Sequence, residues 1–415
     1  MTLRLRFAVL LLSTALALPA ASAQPAPTQA DRPLATLSPD ELEVLGPLLR
    51  TGTVSLVEFA MDGELPAVVI ATEVDATPAT LAAVVGDPRH YPDFMPALDA
   101  VNVHAEDAAQ LSYSWAWETS LFTLRGDHAM QRYAPPEGHP EQGYRFVIRS
   151  TGGDLGVGRT VWRILPRGQG RSLLMSSCRM DFQDANYIAR QLASTGPSLS
   201  RTVNIALGFA TVLRARMEAE RREGRVRAAV PRPGSEPARP AMDPIALERL
   251  VGRGDVMWVE TTGTDLGRVM VLGAMHTPEG VTRTAMLDPA GFTQGFLQGA
   301  RATVLERSPT ETRFDWGIDL PLVGTSGQML LRDTPGGRIQ LDGVHGSLAD
   351  ARFRFETIAR PYGTLVVTWG RFDPSEGFWL LRVVTNADAA FRPGLAGAAQ
   401  LMLIRGLRTR LIRGV

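Results

Sequence analysis

Residues 72–98 read TEVDATPATLAAVVGDPRHYPDFMPAL, and the change of character along this stretch decides the fold. It opens at the end of a β-branched run that predicts a strand. Thr77 is then a favourable N-cap and Pro78 suits the first helical position, so a short helix is expected next. Pro92 and Pro96 stop any long helix from following, because proline lacks the backbone donor that a helix interior needs. A short, kinked, aromatic segment must come after the helix.

That segment, residues 86–97 and here named the elbow, leads into further strands and one long helix. The helix is predicted over residues 198–222, where Leu207 and other apolar residues recur at helical spacing. Consecutive antiparallel strands form a curved sheet, and a single long helix can cover one face of it. This order predicts an α+β grip around an internal cavity. The strands are expected at 98–104, 110–118, 121–133, 143–150, 158–165 and 172–181.

The sequence contains this pattern twice. LEVLGPLLRTGTVSLVE at 42–58 is matched by LERLVGRGDVMWVE at 247–260, and YSWAWETSLFTLRG at 113–126 by RFDWGIDLPLVGTSG at 313–327. Ordered matches of this kind predict a tandem duplication. The second match, as we align it, equates Trp117 with Trp316 and Trp115 with Phe314. The expected organisation is a signal peptide at 1–23, a tether at 24–40, a first domain at 41–222, a Pro/Arg-rich linker at 223–242 and a second domain at 243–415.

Two motifs in the first unit carry a resemblance to a known family. They are D-P-x-x-Y-P-x-F-x-P at residues 87–96 and G-x-x-x-W-x-x-x-P at residues 158–166. The sequence resembles the START-like (SRPBCC, polyketide cyclase/dehydrase and lipid transport) superfamily, and within it the coenzyme Q-binding proteins. The resemblance implies two tandem helix-grip domains, each a curved antiparallel sheet wrapped around a long C-terminal helix. It also implies that the elbow forms the mouth of the cavity. The second unit lacks the elbow motif, so its membership depends on the duplication.

Alternation along the strand at 110–118 places Tyr113, Trp115 and Trp117 on one face. Aromatic side chains on a concave face suit a large apolar ligand, although the same face can also pack as a dry core. Among them Tyr113 is the best candidate for a polar anchor. The side chains expected to line a ligand site are Tyr91, Phe94, Met95, Tyr113, Trp115, Trp117 and Leu207 in the first unit, and Phe292, Phe296, Phe314, Trp316 and Leu403 in the second.

Several function classes find little support in the sequence. The 43 arginines balance 43 acidic residues, and a net charge of zero argues against nucleic acid as a partner. The six histidines show no metal-ligand spacing, and Cys178 is the sole cysteine. We therefore expect no cofactor, no metal and no catalytic residue. The hypothesis is binding or transport of a lipid, quinone or isoprenoid; the alternatives are a cyclase or hydrolase using the same cavity, or an envelope interaction module without a ligand.

Residues near both ends of the chain indicate where in the cell the protein acts. Residues 1–23 combine Arg4 and Arg6, an apolar run and a small-x-small cleavage site, which is the pattern of a secretory signal peptide. We expect export to the periplasm of a Gram-negative bacterium. The last helix carries arginines beside a leucine stripe, which suits the negative end of a helix or transient contact with a membrane surface. The sequence leaves the oligomeric state open.

Overall fold

The computed structural model describes residues 32–59, 67–118, 123–154, 156–181, 197–225, 227, 236–290, 300–320, 323–377 and 379–414, named here the described residues. The predicted signal peptide at 1–23 lies outside them, as do Phe292 and Phe296. Parts of the predicted tether and of the predicted linker also lie outside these ranges.

The first unit has the predicted order of a strand, a short helix, the elbow, a run of strands and a long helix, and a helix and a strand that were not predicted precede them. Its elements are α1 Pro39–Thr51, β1 Gly52–Glu58, β2 Val68–Val74, α2 Pro78–Gly86, a 3₁₀ helix Pro88–Asp93, β3 Leu98–Glu106, β4 Gln110–Glu118, β5 Thr123–Tyr133, a 3₁₀ turn Pro140–Gln142, β6 Tyr144–Gly153, β7 Val157–Pro166, β8 Ser172–Asp181 and α3 Pro197–Arg222.

The described part of the second unit repeats this order of strands and helices, and a short helix stands directly before its last helix. Its elements are α4 Glu248–Val251, β9 Gly254–Thr262, β10 Asp265–Met275, α5 Glu279–Met286, β11 Ala300–Arg307, β12 Glu311–Leu320, β13 Val323–Thr334, β14 Arg338–Gly346, β15 Arg352–Arg360, β16 Gly363–Arg371, a 3₁₀ turn Pro374–Glu376, α6 Trp379–Ala387 and α7 Phe391–Arg413. The fold class is therefore α+β with two tandem helix-grip units, as predicted.

The elbow forms for the local reasons that the sequence suggested. The Thr77 hydroxyl caps α2 by accepting a hydrogen bond from the backbone N–H of Thr80 at 3.2 Å. The chain then continues as a 3₁₀ helix, whose first turn is capped where Asp87 Oδ1 accepts from the N–H of Arg89 at 3.3 Å. Pro92 inside this segment keeps it short, since it removes a donor.

All sixteen strands form one antiparallel sheet in which the two units are joined edge to edge. The order is β11-β12-β13-β14-β15-β16-β10-β9-β1-β2-β8-β7-β6-β5-β4-β3. At the centre, Gly52 of β1 pairs with Glu260 of β9, and Glu58 pairs with Gly254. Because the repeats equate Gly52 with Gly254 and Glu58 with Glu260, this pairing has local two-fold symmetry. The axis passes beside Ser55, midway along β1.

Helices cover both faces of the sheet at its centre. On the face named here the outer face, α1 packs on β1 and β2 and α4 packs on β9. On the inner face, α3 packs on β2 and β8, α7 packs on β9 and β10, and the two long helices contact each other. Gly394 of α7 permits that contact, because a Cβ there would lie 3.0 Å from the Cα of Ala206 on α3. Each long helix thus has its own half of the sheet.

Parts of the predicted tether and linker lie against the outer face. A guanidinium nitrogen of Arg159 on β7 donates a hydrogen bond to the carbonyl of Arg32 at 2.6 Å. In the second unit, Trp369 Nε1 on β16 donates to the carbonyl of Pro237 at 3.0 Å. The segments that precede α1 and α4 therefore occupy similar places in the two units. The domain boundaries themselves stay a prediction.

None of the helices in the described ranges combines the length and the hydropathy needed to cross a lipid bilayer.

Candidate functional site

A cavity of about 210 Å³ lies in the first unit between the inner face of the sheet and α3. The elbow forms one side of it, strands β4 to β8 form the floor, and α3 forms the roof. This is the arrangement that the order of elements predicted. Its walls include Tyr91, Met95, Pro96, Leu98, Tyr113, Trp115, Trp117, His128, Ile148, Ser150, Gly158, Thr160, Trp162, Ser176, Cys178, Asn204, Leu207, Gly208 and Thr211.

Most of the side chains predicted for the first unit reach this wall. They are Tyr91, Met95, Tyr113, Trp115, Trp117 and Leu207. Phe94 instead lies in the surrounding core, where its ring meets that of Tyr91 edge to face with centroids 5.8 Å apart. Phe94 therefore supports the mouth of the cavity and does not line it. Ligand binding by these residues stays a prediction.

The roof of the cavity is a stripe along α3. Asn204, Leu207, Gly208 and Thr211 are spaced as i, i+3, i+4 and i+7, which places them on one face of a helix. Gly208 lets this face approach the sheet, since a Cβ there would lie 3.0 Å from Cδ1 of Ile70. Sequence reasoning singled out Leu207 alone. The glycine within an apolar helical stripe was the signal that it missed.

The elbow is fixed to the rest of the unit by Tyr91. Its hydroxyl donates to the carbonyl of Val85 at the end of α2, and burial raises its pKa. The Tyr91 ring meets the Tyr113 ring nearly at right angles, with centroids 6.3 Å apart. The backbone N–H of Met95 donates to the carbonyl of Tyr91 at 2.7 Å. These contacts hold Met95 and Pro96 at the cavity mouth.

A histidine that the sequence did not single out joins two of the predicted aromatic residues. Trp115 Nε1 donates to His128 Nε2 at 3.2 Å, and His128 Nδ1 lies 3.1 Å from the Tyr113 hydroxyl. Burial lowers the pKa of His128 to about 4, so its ring is neutral near pH 7. His128 pairs with Tyr113 across β5 and β4. The alternation of β5 was the signal that could have found it.

The remaining polar groups on the wall are uncharged. Ser150 Oγ donates to the carbonyl of Gly156 at 2.8 Å, and Thr211 Oγ1 donates to the carbonyl of Gly208 at 2.9 Å. Burial raises the pKa of the Cys178 thiol to about 12, so it stays protonated. Arg159 also borders the cavity, but its guanidinium turns to the outer face. The interior therefore suits a neutral molecule.

The start of the second unit's last helix contacts the wall of this cavity. The ring of Phe391 on α7 lies beside Trp117 of β4, with centroids 6.1 Å apart. Nearby, Arg214 of α3 forms an ion pair with Asp388 at 2.5 Å. The second unit thus contacts a residue that lines the first cavity.

Strand register corrects the alignment of the two units. Trp115 pairs with Gly126 on the next strand, and Trp316 pairs with Gly327. Each indole lies over its glycine: a Cβ would be 2.7 Å from Trp115 at Gly126 and 3.0 Å from Trp316 at Gly327. Trp316 is therefore the counterpart of Trp115. The prediction that equated it with Trp117 is wrong by two residues. Trp316 and its partner Gly327 are eleven residues apart, as are Trp115 and Gly126, whereas Trp117 pairs with Leu124 only seven residues away.

This correction shows that the polar chain of the first unit is absent from the second. Tyr113 pairs with His128 in the first unit, and the corresponding pair in the second is Phe314 with Met329. Phe314, Trp316 and Leu403 are buried in the core cluster of the molecule. The two units have therefore diverged at the positions that matter most to the first cavity.

The second unit instead buries polar groups without partners. Within the described residues, Trp316 Nε1, Thr368 Oγ1 and both amide atoms of Gln400 lack hydrogen-bond partners. Thr368 pairs with Val271 as Ser176 pairs with Ile70, so it corresponds to a wall residue of the first cavity. At this position the inner face of the second unit buries a polar atom without a partner among the described residues, whereas the inner face of the first unit lines a cavity.

The arginines of α7 are engaged inside the protein. Arg405 and Arg408 both form ion pairs with the fully buried Asp255, the former at 2.7 Å. Burial alone would raise the pKa of Asp255, but the two guanidinium groups hold it below its ordinary value. Arg410 pairs with Asp288 at 2.6 Å. These three charges are therefore not exposed for contact with a membrane surface.

A second depression and the placement of possible metal ligands also bear on the chemistry of the described residues. A wider depression of about 470 Å³ on the outer face is lined by polar residues that include Ser114, Arg125 and Asp127. Within the described ranges, no group of three or more His, Cys, Asp and Glu residues could hold a metal ion. The mainly apolar cavity beneath α3 is therefore the best candidate site.

A helix-grip fold with an internal cavity is the class that these features define. Neither a family model nor a curated protein matches the chain. Among solved structures, the chain is similar to the di-domain ARO/CYC StfQ from the steffimycin biosynthetic pathway, at 10% identity and a TM-score of 0.28, covering 84% of this chain and 99% of that one.

Single-unit proteins are also similar to about half of the chain. A STAR-related lipid transfer protein from Xanthomonas axonopodis shares 11% identity, with a TM-score of 0.33, over 45% of this chain and 98% of that fragment. Human STARD10 shares 12% identity, with a TM-score of 0.33, over 46% of this chain and 83% of that one. None of the three is described as binding coenzyme Q, so that branch of the resemblance stays a prediction. Identities this low leave function to be argued from the cavity.

Proposed function

We propose that the protein binds a neutral hydrophobic molecule in the first cavity and carries it within the periplasm. The observation that carries this proposal is a mainly apolar space of about 210 Å³ between the sheet and α3, whose wall has three aromatic side chains of β4 and presents no charged group to the interior. The pattern at residues 1–23 supports export, and cell fractionation tests it.

The volume limits what can be bound. The space equals the share of liquid volume of about seven water molecules, at roughly 30 Å³ each. A ring system such as a quinone headgroup, or a short isoprenoid segment, fits this size, whereas a two-chain lipid does not. A longer tail would leave through the mouth formed by Met95 and Pro96.

Burial of the ligand's skeleton supplies the affinity. A planar two-ring molecule that loses about 250 Å² of apolar surface gains roughly 6 kcal/mol, before the cost of lost freedom is subtracted. A dissociation constant of roughly tens of micromolar is therefore the tightest that this burial alone can give. A ligand that is bound no more tightly than this is released readily, as a carrier requires.

The pair of Tyr113 and His128 favours a second candidate, a cyclase acting on a hydrophobic substrate. The Tyr113 phenol, held 3.1 Å from a neutral imidazole beside an apolar cavity, has the composition of a general acid for a substrate carbonyl. Turnover of a bound molecule separates the two functions, since a carrier releases its ligand unchanged.

Native mass spectrometry of the full protein purified from its periplasm tests the proposal. We expect one bound small molecule per chain, which organic extraction releases for identification. Trp117→Ala should weaken its binding and leave the protein folded. An empty protein that also takes nothing from an envelope lipid extract would contradict the proposal, and so would a Trp117→Ala variant that loses stability but binds normally.

A further inference from the structure

The hydrogen bonds beside the cavity fix where one proton must lie. The indole Nε1–H of Trp115 can only donate, and it lies 3.2 Å from His128 Nε2. His128 Nε2 must therefore be the unprotonated nitrogen of the ring. A doubly protonated ring would place two donors face to face at this distance, so the geometry requires a neutral imidazole.

The neutral ring then carries its proton on Nδ1. That nitrogen lies 3.1 Å from the Tyr113 hydroxyl, so it donates to the hydroxyl oxygen. Tyr113 cannot return its own proton to His128, because Nδ1 has no free lone pair in this tautomer. The phenol proton must point elsewhere.

No acceptor in the described part of the protein takes that proton. Among the described residues, His128 Nδ1 is the one hydrogen-bond partner of the Tyr113 hydroxyl, and the neighbouring hydroxyl of Tyr91 bonds to the carbonyl of Val85 and not to Tyr113. Tyr113 is 3% exposed, and its side chain borders the cavity. A buried hydroxyl whose donor has no protein partner is costly unless a bound molecule accepts it.

We propose that Tyr113 donates a hydrogen bond to an oxygen of the ligand, so that the first cavity selects neutral hydrophobic molecules bearing a carbonyl or ether oxygen. Trp115 and His128 act as positioning residues that turn the Tyr113 proton towards the ligand. This inference rests on the proposed function and adds a chemical requirement to it.

The second unit provides an internal comparison. Its counterparts of Tyr113 and His128 are Phe314 and Met329, which leave Trp316 Nε1 without an acceptor among the described residues. The second unit therefore has no hydroxyl at the position of Tyr113 that a histidine could orient towards a ligand. We expect an oxygen-bearing ligand to bind at one site per chain.

A matched pair of probes tests the requirement. Menadione and 2-methylnaphthalene share a methylated two-ring skeleton, and menadione alone carries carbonyl oxygens. In calorimetric titrations of the full protein, we expect Tyr113→Phe to weaken menadione binding by about three- to tenfold and to leave 2-methylnaphthalene binding unchanged. Tyr133→Phe is the control, because Tyr133 on β5 lies outside the cavity wall and its hydroxyl donates to Gln131 Oε1 at 2.9 Å. It should alter neither affinity.

Infrared spectroscopy gives a readout that a purely structural effect would not move. The carbonyl stretch of bound menadione should shift to lower frequency in the parent protein, and Tyr113→Phe should remove this shift. His128→Leu should weaken the shift, and His128→Gln, which keeps a donor and an acceptor, should restore part of it. Equal losses for both probes in Tyr113→Phe, or an unchanged menadione affinity, would overturn the inference. Failure of the parent protein to bind either probe would instead overturn the proposed function and the inference together.

Discussion

At the scale of single residues, the molecule buries polar groups of two kinds. Those of the first unit, Tyr113 and His128, are linked in a directed chain beside a cavity. Gln400 of α7 differs, since it is fully buried and neither side-chain polar atom has a partner within the described ranges. The hydrogen-bonded Tyr113 and His128 and the unpartnered Gln400 amide should affect the stability of the protein differently, and each gives a prediction.

Replacement of Gln400 by leucine should stabilise the protein. The volumes are similar, and removal of an unsatisfied buried amide recovers its desolvation cost, so we expect the free energy of unfolding to rise by about 1–2 kcal/mol. Chemical denaturation measures the change, with Leu401→Met as a volume-conserving control on the same helix. A loss of stability would show that Gln400 is hydrogen-bonded in solution.

His128 should make stability depend on pH. Its pKa is about 4 in the folded protein and about 6.5 in an unfolded chain, so the unfolded state binds more protons between these values. Stability should therefore fall as the pH decreases from about 6.5 to about 4, by up to about 3 kcal/mol from this residue, and level off below.

The matched variant isolates that contribution. His128→Gln removes the imidazole and should flatten the pH profile of the unfolding free energy in this window, when compared with the exposed His139→Gln as a control. Parallel profiles for the parent and His128→Gln would contradict the assignment.

At the scale of elements, β4 and the elbow were predictable, and the pairing of the second hairpin was not. Alternation alone placed Tyr113, Trp115 and Trp117 on one face, because side chains point to opposite faces in turn. The match of Trp316 to Trp115 depends on the strand register, in which each tryptophan pairs with a glycine, and residue similarity did not reveal this register. The helix stripe containing Gly208 also escaped, since only the distance between helix and sheet gives that glycine a role.

The glycines that face the two tryptophans should differ in their effect on function. Gly126→Val would drive a side chain into Trp115, disturb its bond to His128 and reduce menadione affinity, with a stability loss of about 1–3 kcal/mol. Gly327→Val should cost at least as much stability, because a Cβ there would lie 2.4 Å from the carbonyl oxygen of His345 as well as 3.0 Å from Trp316, and it should leave binding to the first cavity intact. Equal losses of affinity in calorimetric titrations of the two variants would contradict the role of Trp115.

At the scale of the whole molecule, the two units share one sheet and one inner core. The β1–β9 pairing, the contact of α3 with α7 and the ring contact of Phe391 with Trp117 all cross between them. Separation would expose two strand edges and a large apolar face. The duplication was readable from the sequence, but this joint was not, because each unit's pattern describes its own fold and not its neighbour.

Thermal unfolding should therefore occur in one cooperative transition. We expect a calorimetric enthalpy close to the van't Hoff enthalpy, which is the test of two-state behaviour. Ser55→Pro, which removes a backbone donor at the centre of the joint, should lower the melting temperature of both units together. Two resolved transitions in the parent protein would show that the units unfold independently.

The central claim is that the first cavity holds a neutral hydrophobic molecule, and one titration tests it most directly. Menadione is titrated into the full protein, into Leu207→Trp, which fills the cavity from α3, and into Leu305→Trp, whose site on β11 is 46% exposed. We predict saturable binding at one site in the parent protein and in Leu305→Trp, and its loss in Leu207→Trp. Binding that survives in a folded Leu207→Trp variant, or is missing from the parent protein, would contradict the claim.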